Sequence, residues 1–483
     1  MIGADKSLRN GVRFAVFTDL HYDATPDGLE RLTAFIGRAR EACVDFIIEL
    51  GDFCISCDAN DPVLLLFNGF EKPHYHVIGN HDTNVYTKNE MVTWLGMDAS
   101  YYSFECGGVK FIVLDTAFVQ YGDEYLNLYK RNHKGAEAIY PAIPDYELSW
   151  LEQEINSSTL PVVIFSHHSL ENSFGNRGVS NRAAVQAIIR RAESDGKHVP
   201  LCINGHDHAD SLDKLGNTYY FTLNSMTYKW FGNEYKHFCY SDDLHERYPY
   251  LKDIILYDAP LSAIVTIDES GNICIDGMQG GFQKVTPREL GMTASTWDGR
   301  GVSANVSSVR LLPLRAYGAN TVVNTDAAPL THATAADIPE ILALYGSHFG
   351  TAGCTWGEGY PTAENAQADI DANALYKLVW EGRIIAVASV GDFGELAHLS
   401  WTPKNACELA RIGVLPTLQG RGLGSSVLQQ CIAIAKERGH DGMRFLVSRD
   451  NASALAMYEK NGFSRCGEAR EYDIDFYCYE MTF

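Results

Sequence analysis

Metal-binding and proton-carrying side chains follow five short apolar runs in the first 210 residues. The runs are Val12–Thr18, Asp45–Leu50, His74–Ile78, Val162–Ser166 and Leu201–Asn204. The polar residues that follow them are Asp19, His21, Asp52, Asn80, His81, Asp82, His167, His206 and His208. Without His81 and Asp82, these residues form a mixed oxygen and nitrogen ligand set that suits manganese, iron, zinc or nickel better than magnesium or calcium. Seven ligands exceed what one hydrated ion needs, so they predict two divalent transition-metal ions that share a carboxylate.

The five runs are short and rich in β-branched residues, which is typical of buried strands. Helical patterns, such as Leu29–Ala42 and Asn181–Ala192, lie between several of them. Alternating strands and helices predict an α/β core, in which ligands collect at the carboxyl ends of the strands. Taken alone, Gly79–Asp82 is better explained as an ordinary turn, because short motifs have low specificity. The other four strand ends make a shared metal site the better interpretation.

The ordered pattern Asp-x-His, Gly-Asp, Gly-Asn-His-Asp, His and Gly-His-x-His resembles that of the calcineurin-like metallophosphoesterases. The resemblance extends from about Val12 to Met278. It implies a four-layer αββα sandwich with a dinuclear site at one edge, and hydrolysis of a small phosphorylated substrate. A departure from the family is Thr18, which stands where many members have glycine.

The same resemblance implies a role for each motif residue. Asp19, His21 and His208 would bind one metal, and Asn80, His167 and His206 would bind the other, with Asp52 as the bridge. His81 would protonate the departing alcohol, and Asp82 would orient its imidazole. The two cations would lower the pKa of a shared water molecule that attacks phosphorus in line with the leaving group.

Substrate recognition is less readable from the sequence. His168, Asn172 and Arg177 follow a predicted ligand and are candidates for substrate contacts, although polar surface loops have the same composition. The segment Tyr219–Tyr257 is rich in tyrosine and contains Trp230, so it is either a lid or wall of the pocket or an ordinary cover over the sheet edge. Ala263–Ile267 and Ile273–Ile275 predict a terminal hairpin.

A change of composition divides the chain. Residues 291–328 are rich in glycine, serine, threonine, alanine and asparagine, which predicts a connector between domains 1–290 and 329–483. In the second domain the patterns predict a helix over Thr334–Leu344 and a helix that ends near Arg438. They also predict strands over Leu375–Trp380, Arg383–Val390 and Glu408–Val414.

A glycine-rich turn precedes the last of these helices. Its residues are Gln419, Gly420, Arg421, Gly422, Leu423, Gly424 and Ser425. A glycine-rich turn at a helix start exposes backbone amides to an anion, although tight turns of other kinds use the same residues. A dinucleotide site is disfavoured, because the turn comes late in the chain and no acidic residue ends a following strand at the right place.

The order of elements in this second part resembles that of the GCN5-related N-acetyltransferases (GNAT), from about Leu330 to Phe483. The resemblance implies a smaller α/β domain with a mixed, mostly antiparallel sheet, whose turn Gln419–Ser425 holds the pyrophosphate of acetyl-CoA. Asn451 would lie near the cofactor arm, Tyr458 would protonate the departing thiolate, and an amine would be the acceptor. Glu408 is a weak candidate for the base.

Charge and cysteine content exclude several classes. The chain has 483 residues, a formal net charge of -22 and a pI near 5.1, which disfavours duplex nucleic acid and anionic membranes as partners. No apolar run reaches the roughly 18 residues that span a bilayer, and residues 1–11 lack a secretory pattern, so we expect the cytoplasm. Cys54 and Cys57 form an isolated C-x-x-C, and we expect reduced, mostly buried thiols.

These features together predict a bifunctional enzyme that joins a dinuclear phosphoesterase to an N-acetyltransferase. Two alternatives use the same residues. In one, the GNAT domain binds acyl-CoA and regulates the phosphoesterase without acetyl transfer. In the other, the metal site belongs to a nuclease, which the strong negative charge disfavours.

Overall fold

The computed structural model describes residues 11–171, 174, 177–269, 271–293, 296, 301–311, 329–351, 353–357, 359–380 and 382–483. Asn172 and much of the predicted connector lie outside the described residues. The chain divides into two compact units, Met1–Pro313 and Leu314–Phe483. In the described residues, no helix is long and apolar enough to cross a membrane.

The strands of the first unit include every run that the sequence predicts there. They are β1 Gly11–Phe17, β2 Phe46–Glu49, β3 His74–His76, β4 Tyr102–Cys106, β5 Val109–Val113, β6 Phe118–Tyr121, β7 Glu124–Asn127, β8 Ile139–Ala142, β9 Val162–Ser166, β10 Leu201–Asn204, β11 Ser211–Leu215, β12 Thr218–Thr222, β13 Tyr228–Trp230, β14 Ile254–Leu256, β15 Ala263–Asp268, β16 Ile273–Asp276, β17 Met278–Gln279, β18 Asn305–Val306 and β19 Val309–Leu311. Its helices are α1 Gly28–Glu41, α2 Asp61–Asn68, α3 Lys88–Leu95, α4 Asp145–Ser157, α5 Arg182–Ser194 and α6 Asp242–Arg247.

Two six-stranded sheets form the middle of this unit. One has the order β19-β16-β15-β1-β2-β3, and the other has the order β11-β12-β10-β9-β5-β4. Aromatic side chains fill the space between them: Phe14 stacks on Phe46 with ring centroids 4.9 Å apart and meets Phe111 of the facing sheet edge-on at 5.5 Å. Such burial of large apolar surface is the main force that holds the sheets together.

Helices cover the outer faces of both sheets. In α1 the buried residues Leu32, Phe35, Ile36 and Ala39 recur at helical spacing and pack in one cluster with Phe17 and with residues of α2 and α3. Apolar residues of α4 and α5 form a second cluster with the outward side chains of β5 and β9. The unit is therefore the four-layer αββα sandwich that the sequence predicts.

Part of the predicted connector belongs to the first unit. Within 291–328, β18 pairs with β17, and β19 adds an edge strand to the first sheet by pairing with β16. The predicted hairpin is β15 and β16.

The second unit is a single curved layer of strands with its own helices. Its strands are β20 Thr331–His332, β21 Leu375–Trp380, β22 Arg383–Gly391, β23 Ala406–Val414, β24 Gly442–Ser448, β25 Ser464–Glu471 and β26 Ile474–Thr482, and its helices are α7 Ile338–Gly346, α8 Ala363–Asp371, α9 Leu423–Glu437 and α10 Ala452–Lys460. The sheet order is β20-β21-β22-β23-β24-β26-β25, and β23 with β24 is its parallel pair. The predicted mixed, mostly antiparallel sheet is therefore confirmed. The predicted helix Thr334–Leu344 starts instead as a 3₁₀ turn at Ala335–Asp337, which Thr334 caps.

Candidate active sites

Loops after five strands bring the predicted metal ligands of the first unit together. β1, β2 and β3 run parallel, as do β9 and β10 in the facing sheet, so their carboxyl ends collect at one edge of each sheet. Atoms from the two sheets then come close: His208 Nε2 lies 3.1 Å from Asp19 Oδ1, and His167 Nε2 lies 3.4 Å from Asp52 Oδ2.

The first group of ligand atoms comes from Asp19, His21 and His208, whose ligand atoms lie within 4.8 Å of one another. His21 Nε2 and His208 Nε2 face each other at 3.3 Å. Among the described residues, the buried Asp19 Oδ1 has no hydrogen-bond partner. A buried carboxylate oxygen without a donor is costly, and a cation at this point would satisfy it.

The second group centres on His167. Its Nε2 lies 3.3 Å from Asn80 Oδ1 and 3.3 Å from His206 Nδ1. Asp52 Oδ2 lies 3.4 Å from His167 Nε2 and 3.6 Å from His21 Nε2, so one carboxylate oxygen stands between the two groups. This is the arrangement that a bridging carboxylate requires.

Hydrogen bonds orient two of the imidazoles. His208 Nδ1 donates to the carbonyl of Tyr228 at 2.7 Å, and His167 Nδ1 donates to the carbonyl of Leu50 at 2.8 Å. With the proton on Nδ1, Nε2 of each ring keeps its lone pair directed into the cluster, as metal-binding histidines do. The donor set and its orientation therefore fit a pair of divalent transition-metal ions.

The two aspartates are anionic. Burial opposes ionisation of Asp52, but the charges that His167 and His81 can carry outweigh it and hold the pKa of Asp52 well below its usual range. For Asp19, burial is likewise outweighed by His208, and its pKa also lies well below the usual range. Both side chains therefore offer negative charge to cations at neutral pH.

Backbone strain is concentrated at this site. Five of the seven predicted ligands have a positive φ, in the left-handed region that residues other than glycine rarely adopt; they are Asp19 (52°), His21 (45°), Asp52 (55°), His206 (68°) and His208 (45°). Such conformations cost about 1–3 kcal/mol each and persist where the surrounding structure enforces them, often at functional sites.

Two glycines allow the ligand loops to approach each other. A Cβ atom at Gly79 would lie 2.2 Å from the backbone nitrogen of Asp52, and one at Gly205 would lie 1.9 Å from Thr18 Oγ1. The Thr18 hydroxyl also donates to Asp19 Oδ2 at 2.6 Å, so the residue that departs from the family pattern positions a ligand.

Asp82 does not orient His81, so that predicted role is wrong. Its buried carboxylate accepts backbone N–H groups from Gly79 at 2.7 Å, Asp52 at 3.0 Å and Phe53 at 3.1 Å. Among the described residues no hydrogen bond joins it to the imidazole of His81. The physical reason is the sharp turn after β3, which points Asp82 inward, where it ties the second and third ligand loops together.

His81 lies at the rim of the cluster, with its ring centroid 4.9 Å from that of His21 and its backbone N–H donating to Asp52 Oδ1 at 2.7 Å. Burial lowers the pKa of His81 to about 4, although the charge of Asp52 opposes this. The imidazole is therefore neutral at pH 7 before substrate binds. A phosphate dianion beside it would favour the protonated form.

A buried network behind the site was missed by sequence reasoning. Glu49 accepts the backbone N–H of Gly51 at 2.7 Å, its carboxyl group lies 2.8 Å from His76 Nδ1, and His76 Nε2 lies 2.9 Å from Asn68 Oδ1. Burial raises the pKa of Glu49 to about 8 and lowers that of His76 to about 3. These residues hold the loop that carries Asp52. The feature of the sequence that could have revealed this network is Glu49, a glutamate within a buried strand.

A cavity of about 600 Å³ opens onto the ligand cluster. Its lining includes His81 and most of the ligands, together with Tyr140, Arg177, Tyr228, Trp230 and Tyr250. Part of the predicted segment Tyr219–Tyr257 therefore forms a wall of the pocket.

Two residues that the sequence offers as substrate contacts, His168 and Arg177, bond to other side chains of the protein. His168 is fully buried between the Thr116 hydroxyl at 2.7 Å and the Tyr140 hydroxyl at 2.9 Å, and Arg177 forms an ion pair with Asp207 at 2.9 Å.

Cys54 and Cys57 are free, and burial raises the pKa of Cys54 well above its usual value, as expected for an unreactive thiol.

In the second unit the parallel strands β23 and β24 separate. They pair at three positions only, from Ala406 with Gly442 to Glu408 with Arg444, and then continue apart to Val414 and Ser448. A cleft therefore opens between their carboxyl-terminal halves. The predicted glycine turn lies where the chain leaves β23 and enters α9.

The turn places open backbone at the start of α9. Gly420 (φ 72°) and Gly422 (φ 83°) adopt left-handed conformations, and a Cβ atom at either would meet no described atom within 4 Å. Gly422 caps the 15-residue helix without a side chain, so no capping side chain bonds the first N–H groups, which are those of Leu423, Gly424 and Ser425. Free amides at a helix start suit a pyrophosphate.

Other predicted residues of this turn make internal contacts. Gln419 Nε2 donates to the carbonyl of Val414 at 3.2 Å, Arg421 donates to the carbonyl of Thr417 at 2.9 Å, and the Ser425 hydroxyl accepts from Asn461 at 3.1 Å. Their side chains thus fix the shape of the turn, while the backbone of the same residues remains the candidate ligand.

Asn451 and Tyr458 belong to α10 and its start. Asn451 caps the helix by accepting the N–H of Ala454 at 3.1 Å. Tyr458 packs on Phe445 with ring centroids 4.4 Å apart, and burial raises the pKa of its phenol, which is therefore protonated at neutral pH. Its role as an acid stays a prediction.

Glu408 is a poor base, because its carboxylate is paired with Arg444 at 2.8 Å and accepts the N–H of Leu396 at 3.2 Å. Sequence reasoning missed another titratable side chain of this unit, that of His348. His348 is buried, and its Nε2 has no hydrogen-bond partner among the described residues. A Cβ atom at Gly413 of β23 would lie 3.3 Å from this nitrogen, and burial lowers the pKa of His348 to about 4, so the imidazole is neutral.

Two family models match separate parts of the chain. Residues 12–210 match the family model of calcineurin-like phosphoesterases, and residues 341–463 match that of the acetyltransferase (GNAT) family. Both resemblances inferred from the sequence motifs are confirmed.

Curated relatives match the second part. An L-methionine sulfoximine/L-methionine sulfone acetyltransferase of Pseudomonas paraeruginosa is 28% identical over 147 residues, which are 29% of this chain and 83% of the relative. The N-alpha-acetyltransferase RimI of Mycobacterium tuberculosis is 37% identical over 81 residues, 17% of this chain and 49% of that protein.

Solved structures resemble each part in turn. A dimetal phosphatase from Danio rerio covers 57% of this chain and 100% of its own, at 15% identity and a TM-score of 0.41. A ribosomal-protein-alanine N-acetyltransferase from Brucella melitensis covers 32% of this chain and 99% of its own, at 23% identity and a TM-score of 0.28.

Proposed function

We propose that this protein is a bifunctional enzyme that hydrolyses a phosphoester of a small molecule and transfers an acetyl group from acetyl-CoA to an amine. The observation that carries the first activity is the pair of ligand groups that share Asp52 Oδ2, at 3.4 and 3.6 Å from one imidazole of each group. The buried Asp19 Oδ1 accepts no hydrogen bond among the described residues and lies 3.1 Å from His208 Nε2, and this supports a cation at this point.

In the phosphoesterase reaction one cation would be held by Asp19, His21 and His208. The other cation would be held by Asn80, His167 and His206. Asp52 would bind both. Two divalent transition-metal ions bound there supply an activated water molecule and neutralise phosphate oxygens. The chain's own contribution beyond ligation is His81. Once a phosphate raises its pKa, its imidazolium can donate a proton to the departing alcohol oxygen.

Hydrolysis of bis(4-nitrophenyl) phosphate and 4-nitrophenyl phosphate tests this activity. Metal-stripped protein is refilled with manganese, and the wild type is compared with Asp52→Asn and His81→Ala. We expect Asp52→Asn to lower both metal content and turnover by more than about 100-fold. His81→Ala should lower turnover while two metals stay bound. Failure of the wild type to bind any metal would overturn the proposal.

The second activity rests on the cleft between β23 and β24, with the turn Gln419–Ser425 at the start of α9. Backbone N–H groups of this turn would bind the pyrophosphate of acetyl-CoA, and Asn451 would lie near the cofactor arm. Tyr458, which is protonated at neutral pH, would return a proton to the coenzyme A thiolate. Because relatives of this part include an acetyltransferase of an amino acid derivative, we infer a small amine as acceptor.

Release of free thiol from acetyl-CoA in the presence of an amine panel tests the second activity. The panel includes L-methionine sulfoximine and an alanine-initiated peptide. Gly422→Val should abolish thiol release for two reasons. Valine is strained at the positive φ of this position, and its side chain would occupy the space that glycine leaves open. Binding of acetyl-CoA without thiol release from any amine would instead favour a regulatory acyl-CoA sensor.

A further inference from the structure

Three basic side chains of one loop line the same cavity as the ligand cluster. Arg131, His133 and Lys134 lie between β7 and β8. They are not metal ligands, and the proposed hydrolysis of a single phosphoester does not use them.

Arg131 and Lys134 of this loop have no carboxylate partner among the described residues. The chain has 61 acidic residues and 39 lysines and arginines, so a surface cation usually finds an acid nearby. Nevertheless, within the described part of the chain, no ion pair involves Arg131 or Lys134. Leaving positive charges unpaired beside a cavity predicts an anionic occupant.

His133 adds a third group that lacks a partner. Its ring stacks on that of Tyr140 with centroids 4.5 Å apart, and its buried Nδ1 has no hydrogen-bond partner among the described residues. Tyr140 in turn contacts His168, the residue next to the ligand His167, through a 2.9 Å hydrogen bond. The basic loop is thus attached to the edge of the ligand cluster.

The basic loop also lies near the proton donor. Arg131 and His81 both line the cavity, so the guanidinium and the proposed proton donor face the same bound substrate. Trp230 and Tyr250 also line the cavity, pack edge-on with centroids 5.6 Å apart and offer an apolar surface for an organic group.

We propose that Arg131, His133 and Lys134 form a second phosphate subsite, so that the substrate carries a phosphate adjacent to the one that is cleaved. This inference rests on the proposed phosphoesterase function and names its substrate class as a diphosphate. A guanidinium, an ammonium and an imidazole suit a phosphate group, because together they supply several donors and positive charge. In ADP, the terminal phosphate would lie on the metal ligands and the inner phosphate on this subsite.

The reaction in this case is hydrolysis of the bridging bond. An oxygen of water forms a new bond to the terminal phosphorus, the bridging P–O bond breaks, and its electron pair stays on the AMP phosphate. The protons of water pass to the medium and the released phosphate.

Phosphate release from ADP and AMP by the manganese-loaded full-length protein tests the proposal, because the two nucleotides differ only in the second phosphate. The variant is Arg131→Asn, since asparagine tolerates the positive φ of 60° at this position. Lys130→Asn is the matched control: Lys130 is adjacent, has a φ of 48°, and its ammonium lies over the Tyr129 ring, 4.8 Å from the centroid, rather than in the cavity.

We expect Arg131→Asn to lower kcat/KM for ADP by about 10- to 100-fold and that for AMP by less than about 3-fold, as for loss of one charged hydrogen bond. Lys134→Gln should act in the same direction, and Lys130→Asn should change neither. An equal loss with ADP and AMP, or an equal effect of Lys130→Asn, would overturn the subsite.

Failure of the parent function is distinguishable. If wild type releases no phosphate from ADP, AMP or 4-nitrophenyl phosphate, the phosphoesterase proposal fails for these esters. Calorimetric titration of the manganese-loaded proteins with ADP and AMP then decides the subsite. Tighter binding of ADP that is lost in Arg131→Asn supports it, and equal affinity of the wild type for both nucleotides contradicts it.

Discussion

Asp82 shows how a motif residue can be located correctly from sequence and still be given the wrong partner. The order Asn-His-Asp places a carboxylate next to an imidazole in the chain, but the turn after β3 directs the two side chains apart. Three backbone N–H groups at 2.7 to 3.1 Å surround the Asp82 carboxylate. Its function in the structure is to hold the loops of Asp52 and Asn80 in register.

Asp82→Ala should therefore impair metal binding, whereas His81→Ala should not. Loss of the carboxylate leaves buried N–H groups without an acceptor and should destabilise the protein by about 3 kcal/mol. Thermal melting and metal content measured by mass spectrometry check both variants. A stable, fully metallated Asp82→Ala that has lost turnover like His81→Ala would return Asp82 to the role of an orienting partner.

Glu193 on α5, which lies away from the active site, makes the stability of the protein depend on pH. Burial raises its folded-state pKa to about 7, from 4.5, while the Thr218 hydroxyl donates to it at 3.2 Å. Between these two pH values the unfolded chain loses its proton first, so the stability of the wild type falls as pH rises from 4.5 to 7.

Glu193→Gln removes this titration and keeps a neutral acceptor for Thr218. We expect the variant to be more stable than the wild type by about 3 kcal/mol at pH 8, and to match it near pH 4.5. Thermal melting at both pH values measures the difference. A variant less stable than the wild type at pH 8 would show that the carboxylate is stabilised in the fold.

At the scale of elements, the strand ends depend on glycines that have no room for a side chain. Gly79→Ala places a methyl group 2.2 Å from a backbone nitrogen of the Asp52 loop, so the two ligand loops must separate. We expect loss of at least one metal and a fall in turnover of more than about 100-fold.

Gly37→Ala is the matched control for this substitution. Gly37 lies inside α1, and a methyl group there meets no described atom within 4 Å. The change should raise stability by about 0.5–1 kcal/mol, because alanine favours a helix, and leave metal content unchanged. Equal metal content in both glycine variants would contradict the proposed close approach.

The sequence predicts strands and helices well where one hydrophobic periodicity or one motif determines them. β9 and β10 match the predicted runs at both ends, and α9 follows the glycine turn as expected. Local patterns could not reveal the positive φ values of Asp19, His21 and Asp52, because contacts between separate loops hold these residues. The N–H groups of Asp19 and His21 donate to the carbonyls of Gly51 and Asp52, each at 3.0 Å. Local patterns also could not place Trp230 beside the ligands or pair Glu408 with Arg444, since these contacts depend on distant segments.

At the scale of the whole molecule, each unit has its own hydrophobic core. The core of the second unit contains only residues from 330 onward, and the clusters of the first unit contain only residues up to 311. Independent cores allow each unit to keep its structure when the other loses its ligand. Covalent fusion alone therefore does not require coupling between the two activities.

Crossed inactivation tests this independence in the full-length chain. Removal of metal with a chelator, or Asp52→Asn, should abolish phosphoester hydrolysis and change the affinity for acetyl-CoA by less than about 2-fold, because no metal ligand belongs to the second unit's core. Gly422→Val should do the reverse and leave manganese-dependent hydrolysis within about 2-fold of the wild type. The measurements are calorimetric titration with acetyl-CoA and release of 4-nitrophenol. If acetyl-CoA changed the hydrolysis rate of the wild type but not of Gly422→Val, the two sites would be coupled. If acetyl-CoA changed the binding affinity for the phosphorylated substrate, binding of that substrate would by linkage change the affinity for acetyl-CoA by the same factor.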